Sequence, residues 1–212
     1  SEEELVSTCA LLLVAGHETT THLIGNSVLA LLRNPAELQK LREAPGLIEG
    51  AVEEFLRYAG SIHILSRRAT EDVEIGAVKI RTNEFVVGLI HAGNRDPAVF
   101  EDPDRLDVTR KGARNLALGH GIHYCIGAAL ARLEAQVALS AIITRLPELR
   151  LSSEVQEWIP SIVVHGLAAL PVTFGHGVEQ SPGQEDGSGW EGPVSLRGPF
   201  SGRPPVSVPW LR

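Results

Sequence analysis

One glycine-rich segment around a cysteine constrains the fold of this chain more than any other feature. Cys125 lies in the run Leu-Gly-His-Gly-Ile-His-Tyr-Cys-Ile-Gly at positions 118–127, and the residues that follow have the pattern of an amphipathic helix. Glycines allow a positive φ and let a flat ligand approach the backbone. Backbone amides and the N-terminus of the next helix favour a thiolate over a thiol. The segment therefore predicts a turn that presents a nucleophile or a metal ligand, although an isolated cysteine is usually only a small buried hydrophobe.

Composition and net charge limit where this chain could function and what classes of molecule it could bind. Cys9 and Cys125 lie far apart in dissimilar contexts, so we expect no disulfide framework and a reducing cytoplasm. The net charge of -7 argues against nucleic-acid binding, which needs a basic face. The most apolar stretch, 5–32, is interrupted by His, Glu, Thr and Asn side chains that a bilayer would leave unsatisfied. We therefore expect a cytoplasmic protein that binds neither nucleic acid nor membrane.

Hydrophobic periodicity predicts helices in the first third of the chain and again after the glycine-rich segment. Apolar residues recur at helical spacing from Leu5 to Leu31, which predicts one long, mostly buried helix. Shorter helices are expected at about 36–42 and 47–58, between Asn-Pro and Pro-Gly breaks. The helix after the glycine-rich segment carries one apolar face, formed by Leu130, Leu133, Val137 and Ile142.

Short β-branched runs between turn residues predict small strands at Val73–Ile75, Val78–Ile80 and Phe85–Leu89, and a strand pair near 163–174. The Asp-, Pro- and Arg-rich stretch 94–114 reads as an irregular, ordered loop. Residues 175–212 are rich in Gly, Pro and Ser without apolar periodicity, which predicts a disordered tail. The fold class is thus mainly α with small β-sheets. Because it lacks Met and opens directly in a helix, the chain is expected to be a fragment.

Two further segments carry polar groups that need an explanation. In Ala15-Gly-His-Glu-Thr-Thr20 an acid and hydroxyls interrupt an apolar helix, and burying them costs free energy unless they are satisfied. A Thr hydroxyl is expected to bond back to the preceding turn and, with Gly16, to distort the helix locally, which would make room for a small ligand or water. The alternative is a polar patch on a solvated face. Glu54 and Arg57 share a helical face, a spacing that alone indicates only a surface ion pair.

The 118–127 segment resembles the cysteine-ligand loop of cytochrome P450 monooxygenases, whose pattern is Phe-Gly-x-Gly-x-His-x-Cys-x-Gly. The matching positions are Gly119, Gly121, His123, Cys125 and Gly127, and the following Ala-Ala-Leu-Ala-Arg-Leu-Glu is similar to soluble bacterial members. Leu118 replaces the family's Phe. The resemblance extends over 1–174 and implies the C-terminal portion of the P450 fold, starting at its long central helix, with haem b bound through an iron–Cys125 bond.

By the same resemblance, 15–20 is the oxygen-binding motif. Ala15 and Gly16 would form the groove over the haem, Thr19 would hydrogen-bond the bound oxygen, and Glu18 with Thr19 would relay protons. The family's structural Glu-x-x-Arg pair corresponds to Glu54 and Arg57, closed by Arg105. The family's propionate contacts correspond to Arg67 and His123, with Arg68 as the neighbouring alternative to Arg67.

The resemblance implies insertion of one oxygen atom from O₂ into a small organic substrate, with electrons from a ferredoxin or similar donor. Substrate contacts are expected at 20–24, at 61–66, where Ser61 replaces a common proline, and near His165. Lys111, Arg114 and Arg132 suggest a basic docking patch for an acidic donor. The alternative is a truncated, non-catalytic haem-binding remnant, or a half-module that needs a separate N-terminal half. The remaining histidines show no zinc-ligand spacing with cysteine.

Overall fold

The helical framework surrounds one core. The computed structural model describes residues 1–112 and 114–175, together with the backbone of the strand at 194–197. Its helices are α1 (Glu2–Arg33), α2 (Pro35–Glu43), α3 (Ile48–Ala59), the single turn α4 (Ile90–Gly93) and α5 (Ala128–Arg145). The predicted class, mainly α with small β-sheets, is confirmed. No helix in this part of the chain is long and apolar enough to cross a bilayer.

The long first helix is buried only in its second half. Ser1 caps it with a reciprocal side-chain bond to Glu4, and Asn34 followed by a proline ends it. Buried side chains begin at Thr20, while every residue before Glu18 is exposed. The prediction of a mostly buried helix is therefore wrong for the first half. Apolar residues at helical spacing show that a helix has an apolar face. They do not show which segment covers that face.

Small antiparallel sheets flank the helices. β1 (Ile64–Arg68) pairs with β4 (Phe85–Leu89), and β2 (Val73–Ile75) forms a hairpin with β3 (Val78–Ile80) across Gly76, whose φ is +60°. The strands predicted at 73–75, 78–80 and 85–89 are confirmed. The last sheet is centred on β7 (Leu167–Thr173), which pairs with its three other strands, β5 (Arg150–Leu151), β6 (Glu157–Trp158) and β8 (Val194–Arg197). The sequence predicted a pair of strands near 163–174. The structure has the single strand β7 there, and the strands that pair with β7 lie outside that range.

Most of the predicted disordered tail, 175–212, lies outside the described residues. The described exceptions are Gly175, whose amide donates to the Pro147 carbonyl, and the backbone of β8. Disorder in this tail stays a prediction.

The core joins the second half of α1 to α3, α5 and β7. Its fully buried apolar side chains include Phe55 and Val52 of α3, Leu139 of α5 and Leu170 of β7. The buried face of α5 consists of Ala128, Ala135, Leu139 and Ile143. The apolar face predicted for this helix is wrong in its burial, because Leu130, Leu133 and Val137 are each more than half exposed.

Candidate functional site

The glycine-rich loop places Cys125 immediately before α5. Gly119 and Gly121 have φ values of +76° and +70°, which residues with a Cβ rarely adopt. The Cys125 amide donates to the Leu118 carbonyl at 2.9 Å and closes the loop on itself. α5 starts three residues later, with Gly127 at the cap and no side-chain cap bond. The sulfur therefore lies near the positive end of the α5 dipole, as the sequence predicted.

A cleft of about 230 Å³ separates this loop from the middle of α1. Ala15 and Thr19 line it from α1, and Leu118, His123 and Cys125 line it from the loop. Apolar residues supply most of the remaining surface: Leu23, Leu56, Ile62, Leu65, Ala117 and Ala131. Of the predicted site residues, the cleft brings together Ala15, Thr19, Arg67, Gly119, His123 and Cys125.

Other predicted site residues lie beside the cleft. Gly16 lines a separate groove of about 490 Å³ between α1 and α5. The Glu18 carboxylate lies 3.5 Å from Nε2 of the buried His22, one turn further along α1. A Cβ on Gly127 would lie 3.9 Å from the Cys125 sulfur, so this glycine borders the sulfur. Gly121 shapes the turn through its positive φ. The cleft as lined by described residues thus contains Thr19 but neither Glu18 nor Gly16.

The oxygen-motif segment is a continuous helix rather than a local break. Thr19 Oγ1 donates to the Ala15 carbonyl at 2.8 Å, one turn back, and α1 runs through Gly16. The bond back to the preceding turn that the sequence led us to expect is therefore present, and the helix continues through it. Local distortion of the helix stays a prediction. The Thr19 oxygen still has lone pairs that can accept a hydrogen bond from a ligand.

The Glu54–Arg57 pair is one of the most buried features of the protein. Arg57 is 2% exposed, and its Nε and Nη2 donate to the two Glu54 carboxylate oxygens at 2.7 and 2.8 Å. Its remaining hydrogens reach three loop carbonyls, those of Asn94 at 2.9 Å, Pro103 at 2.7 Å and Arg105 at 3.2 Å. The pair therefore holds the 94–105 loop on α3.

The predicted third member of this cluster, Arg105, needs a correction. Arg110 makes the second ion pair, with Nε 3.1 Å from Glu54 Oε2. The Arg105 side chain is 59% exposed and pairs with Asp102 and Asp107, while its carbonyl accepts from Arg57. A carbonyl turned inward at position 105 sends the side chain outward, so the next arginine of the loop takes the buried place.

The structure distinguishes the two neighbouring arginines of β1. Arg67 lines the cleft. Arg68 lies over the Phe85 ring, 5.5 Å from its centroid, and donates to the Asn83 carbonyl at 3.3 Å. The geometry therefore favours Arg67 as the cation of the cleft, which agrees with the choice made from the sequence.

The wall around Ser61 is held by backbone bonds where the family often has proline. Ser61 is 8% exposed, its carbonyl accepts from the His165 amide at 2.7 Å, and Ile62 forms a β-bridge with Val164. His63, next in the chain, donates its amide to Val163 at 2.9 Å. The 61–63 segment is thus attached to the 163–165 turn, the two segments that the sequence assigned to substrate contacts.

A stack of aromatic rings lies behind this wall, and no sequence pattern predicts it. His63 stacks on His165 with centroids 4.2 Å apart, His165 stacks on Trp158 at 4.0 Å, and His91 lies 4.5 Å from His63. Burial, followed by the charges of neighbouring groups, His63 among them, lowers the pKa values of His91 and His165 to about 4. Burial also lowers the pKa of His63. The three imidazoles are therefore neutral at pH 7, and the His63–His165 stack links the 61–63 segment to the 163–165 turn.

Comparison with known proteins decides the family. A family model described as cytochrome P450 matches residues 46–169, which is more than half of the chain. The chain belongs to the cytochrome P450 family. The curated relatives of this P450 chain include the biotin biosynthesis cytochrome P450 of Bacillus subtilis strain 168, 49% identical over 82% of the chain. A second is the vitamin D(3) 25-hydroxylase of Pseudonocardia autotrophica, 47% identical over 82% of the chain.

Solved P450 structures share the fold as well. The crystal structure of P450BioI in complex with an acyl carrier protein ligated to hexadec-9Z-enoic acid matches with a TM-score of 0.80, at 50% identity over 82% of this chain. The tirandamycin C-bound P450 monooxygenase TamI matches with the same TM-score at 44% identity over 82% of the chain. The matched regions are 46% and 45% of those chains. The chain spans less than half the length of the curated relatives it matches, 44% for both named above.

Several anchors of the P450 loop were missed from the sequence. Asn94, 2% exposed, accepts the Leu116 amide at 2.7 Å through Oδ1. Arg132 of the predicted docking patch does not present a free cation, because its guanidinium is paired with Glu53. Lys111 and Arg114 are exposed, so they keep the surface position expected of a patch. The one sequence feature that points to the Glu53–Arg132 pair is the position of Glu53 directly before Glu54.

Proposed function

We propose that this chain is the haem-binding portion of a cytoplasmic P450 monooxygenase that inserts one oxygen atom from O₂ into a small organic substrate. Electrons would come from a ferredoxin-type donor. One observation carries the proposal: across a largely apolar cleft, Cys125 at the start of α5 faces the α1 segment that holds Ala15 and Thr19. Among the described residues no group of three or more His, Cys, Asp or Glu side chains could hold a metal ion by itself. A single cysteine opposite a hydroxyl-bearing helix therefore suits a metal that is carried by a prosthetic group.

The residues that line the cleft fit haem b. Gly119 lines the cleft without a side chain, so a flat ring can approach the loop backbone closely there. Apolar side chains cover the sides, and Arg67 with His123 supplies hydrogen-bond donors for the two propionates. Cys125 would be the iron ligand. When bound there, haem supplies O₂ activation, which a thiolate ligand promotes by electron donation.

The protein groups opposite Cys125 would position substrate and protons. Thr19 Oγ1 is held at the cleft by its bond to Ala15, so it can accept a hydrogen bond there and pass on a proton. Glu18, next to it, is the acid that would restore that proton. Leu23, Ile62 and Leu65 line the same cleft and favour an apolar substrate. They would also exclude water.

The test is the reduced, carbon monoxide-bound difference spectrum of the purified chain with added haem. We expect the red-shifted Soret band of cysteinate ligation in the unmodified chain and its loss in Cys125→Ser. Cys9→Ser is the matched control, since Cys9 lies on the exposed half of α1, and it should retain the band. If the band is missing from the unmodified chain, or survives in Cys125→Ser, the chain does not bind haem as proposed.

A second candidate is a half-module that assembles with a separate N-terminal portion. Exposed apolar surface favours this candidate. Leu133 and Val137 of α5 line the 490 Å³ groove. Further exposed apolar side chains lie on the same two helices: Leu11, Leu12, Leu13 and Val14 of α1 and Leu130 of α5. Large exposed apolar patches indicate an interaction site. The relatives contain additional length that could cover such a surface.

Co-expression tests this candidate. The remaining N-terminal portion of the Bacillus subtilis relative should co-purify with the chain and raise its haem content. Leu133→Glu, in the groove, should abolish assembly, whereas Val155→Glu, 79% exposed outside the groove, should not. Equal co-purification of both variants would rule out this face as the contact.

A further inference from the structure

A second ion pair lies beside the Glu54–Arg57 cluster and joins α3 to α5. Arg132 of α5 donates through Nε to Glu53 Oε1 and through Nη2 to Glu53 Oε2 at 3.3 Å. The pair is bidentate, the geometry in which an Arg–carboxylate contact is strongest and most specific. The hydrogen bond to Glu53 raises the pKa of Arg132 above its ordinary value, so the guanidinium stays charged.

This pair contacts the cysteine loop on both sides of its glycine turn, at Tyr124 and at Asn115. Nη1 of Arg132 donates to the Tyr124 hydroxyl at 3.0 Å, and Tyr124 directly precedes Cys125. On the other side, Asn115 Nδ2 donates to the Glu53 carbonyl and to its Oε2, each at 3.3 Å. Residues 115 and 124 enclose the turn that contains Gly119 and Gly121. The Glu53 carboxylate therefore joins the start of the loop to α5 directly, and Arg132 extends this connection to the end of the loop.

We propose that Glu53, Arg132 and Tyr124 form a tether that positions the Cys125 loop, separate from the Glu54–Arg57 cluster. The two devices act on different parts of the chain. Arg57 bonds the carbonyls of Asn94, Pro103 and Arg105, upstream of the loop, whereas the tether contacts the loop itself. The three residues are positioning residues, since their described contacts are with one another and with the loop, and not with the cleft.

The tether also explains why Arg132 is unsuited to the docking patch that the sequence suggests. Its three guanidinium nitrogens are directed at Glu53, Tyr124 and the Ala128 carbonyl. A cation neutralised by a bidentate carboxylate attracts an acidic partner only weakly. Substitution of Arg132 should therefore alter the order of the loop rather than association with an electron donor.

The first arm of the test uses the haem-free chain. Backbone hydrogen exchange at Cys125 and Gly119, whose amides bond Leu118 and Leu116, reports the order of the loop. We expect Glu53→Gln and Arg132→Gln each to accelerate this exchange about fivefold, and Tyr124→Phe about twofold, the size of effect of a partly exposed charge-assisted bond. Glu49→Gln on α3 and Arg114→Gln before the loop are matched controls and should leave exchange unchanged. The charge swap Glu53→Arg with Arg132→Glu should restore at least half of the protection.

The second arm rests on the proposed function, because it measures the cysteinate fraction in the carbon monoxide spectrum after haem is added. We expect Glu53→Gln and Arg132→Gln to lose that fraction in parallel with the gain in loop exchange, and the swap to recover it. If exchange accelerates but no chain shows a cysteinate band, the tether stands and the proposed function fails. Unchanged exchange in both single variants, or acceleration that the swap does not reverse, would overturn the tether.

Discussion

Replacing Arg57 with lysine should destabilise the protein strongly although the charge is kept. Arg57 makes five hydrogen bonds, two to Glu54 and three to loop carbonyls, and it is 2% exposed. An ammonium group has three donors, so at least two of these five buried hydrogen bonds are lost. At about 1.5–3 kcal/mol for each hydrogen bond to a charged group, the expected loss is about 3–6 kcal/mol. That is a large part of the roughly 5–15 kcal/mol by which domains are stable.

Urea unfolding followed by far-ultraviolet circular dichroism measures this loss. Arg105→Lys is the matched control, because its side chain is 59% exposed and its ion pairs lie at the surface. We expect that change to cost less than about 1 kcal/mol. If Arg57→Lys costs no more than Arg105→Lys, the loop carbonyls do not depend on the guanidinium fork and the reasoning fails.

Two other predictions follow from the stacked histidines and from the glycines. Because His91 and His165 have folded pKa values near 4, below the ordinary 6.5, the unfolded chain binds more protons between these values. Stability should be complete above pH 6.5 and fall as the pH drops towards 4. Urea midpoints against pH check this, and a slope unchanged in His165→Gln would contradict it. Gly166→Ala should cost at least about 1–3 kcal/mol, since the new Cβ would lie 2.1 Å from His22 Nδ1. Gly50→Ala, with no atom within 4 Å, should stabilise α3 by about 0.5–1 kcal/mol, and equal urea midpoints for the two variants would refute the packing argument.

Much of the fold was predictable because its signals are local. Asn-Pro and Pro-Gly pairs ended the first helices where the structure ends them, and the short β-branched runs became the strands of the predicted hairpin and of β4. Burial was less predictable. The stripe of Leu130, Leu133 and Val137 has helical spacing but is exposed, because the smaller Ala135 and the side chains Leu139 and Ile143 meet α1 and α3 instead.

The candidate site likewise contains residues that local sequence predicts and residues that it does not. The cysteine, its glycines and Thr19 could be assigned from the run in which they occur. The sequence could not decide whether Arg105 or Arg110 pairs with Glu54, because both lie in the same loop. The inward direction of the Arg105 carbonyl decides that the Arg110 side chain faces Glu54. The sequence predicts a surface cation at Arg132, because its partner, Glu53, lies 79 positions earlier in the chain.

The sequence by itself determined the features that depend on neighbours in the chain: a cysteine on a turn of glycines before a helix, a hydroxyl one turn from Ala15, and the bounds of most elements. Tertiary structure decided which charges meet. It paired Glu53 with Arg132, placed Arg110 on Glu54 and stacked His63, His91 and His165. These contacts join residues that are far apart in sequence. Their formation depends on how helices and loops pack, and local propensity carries no information about that packing.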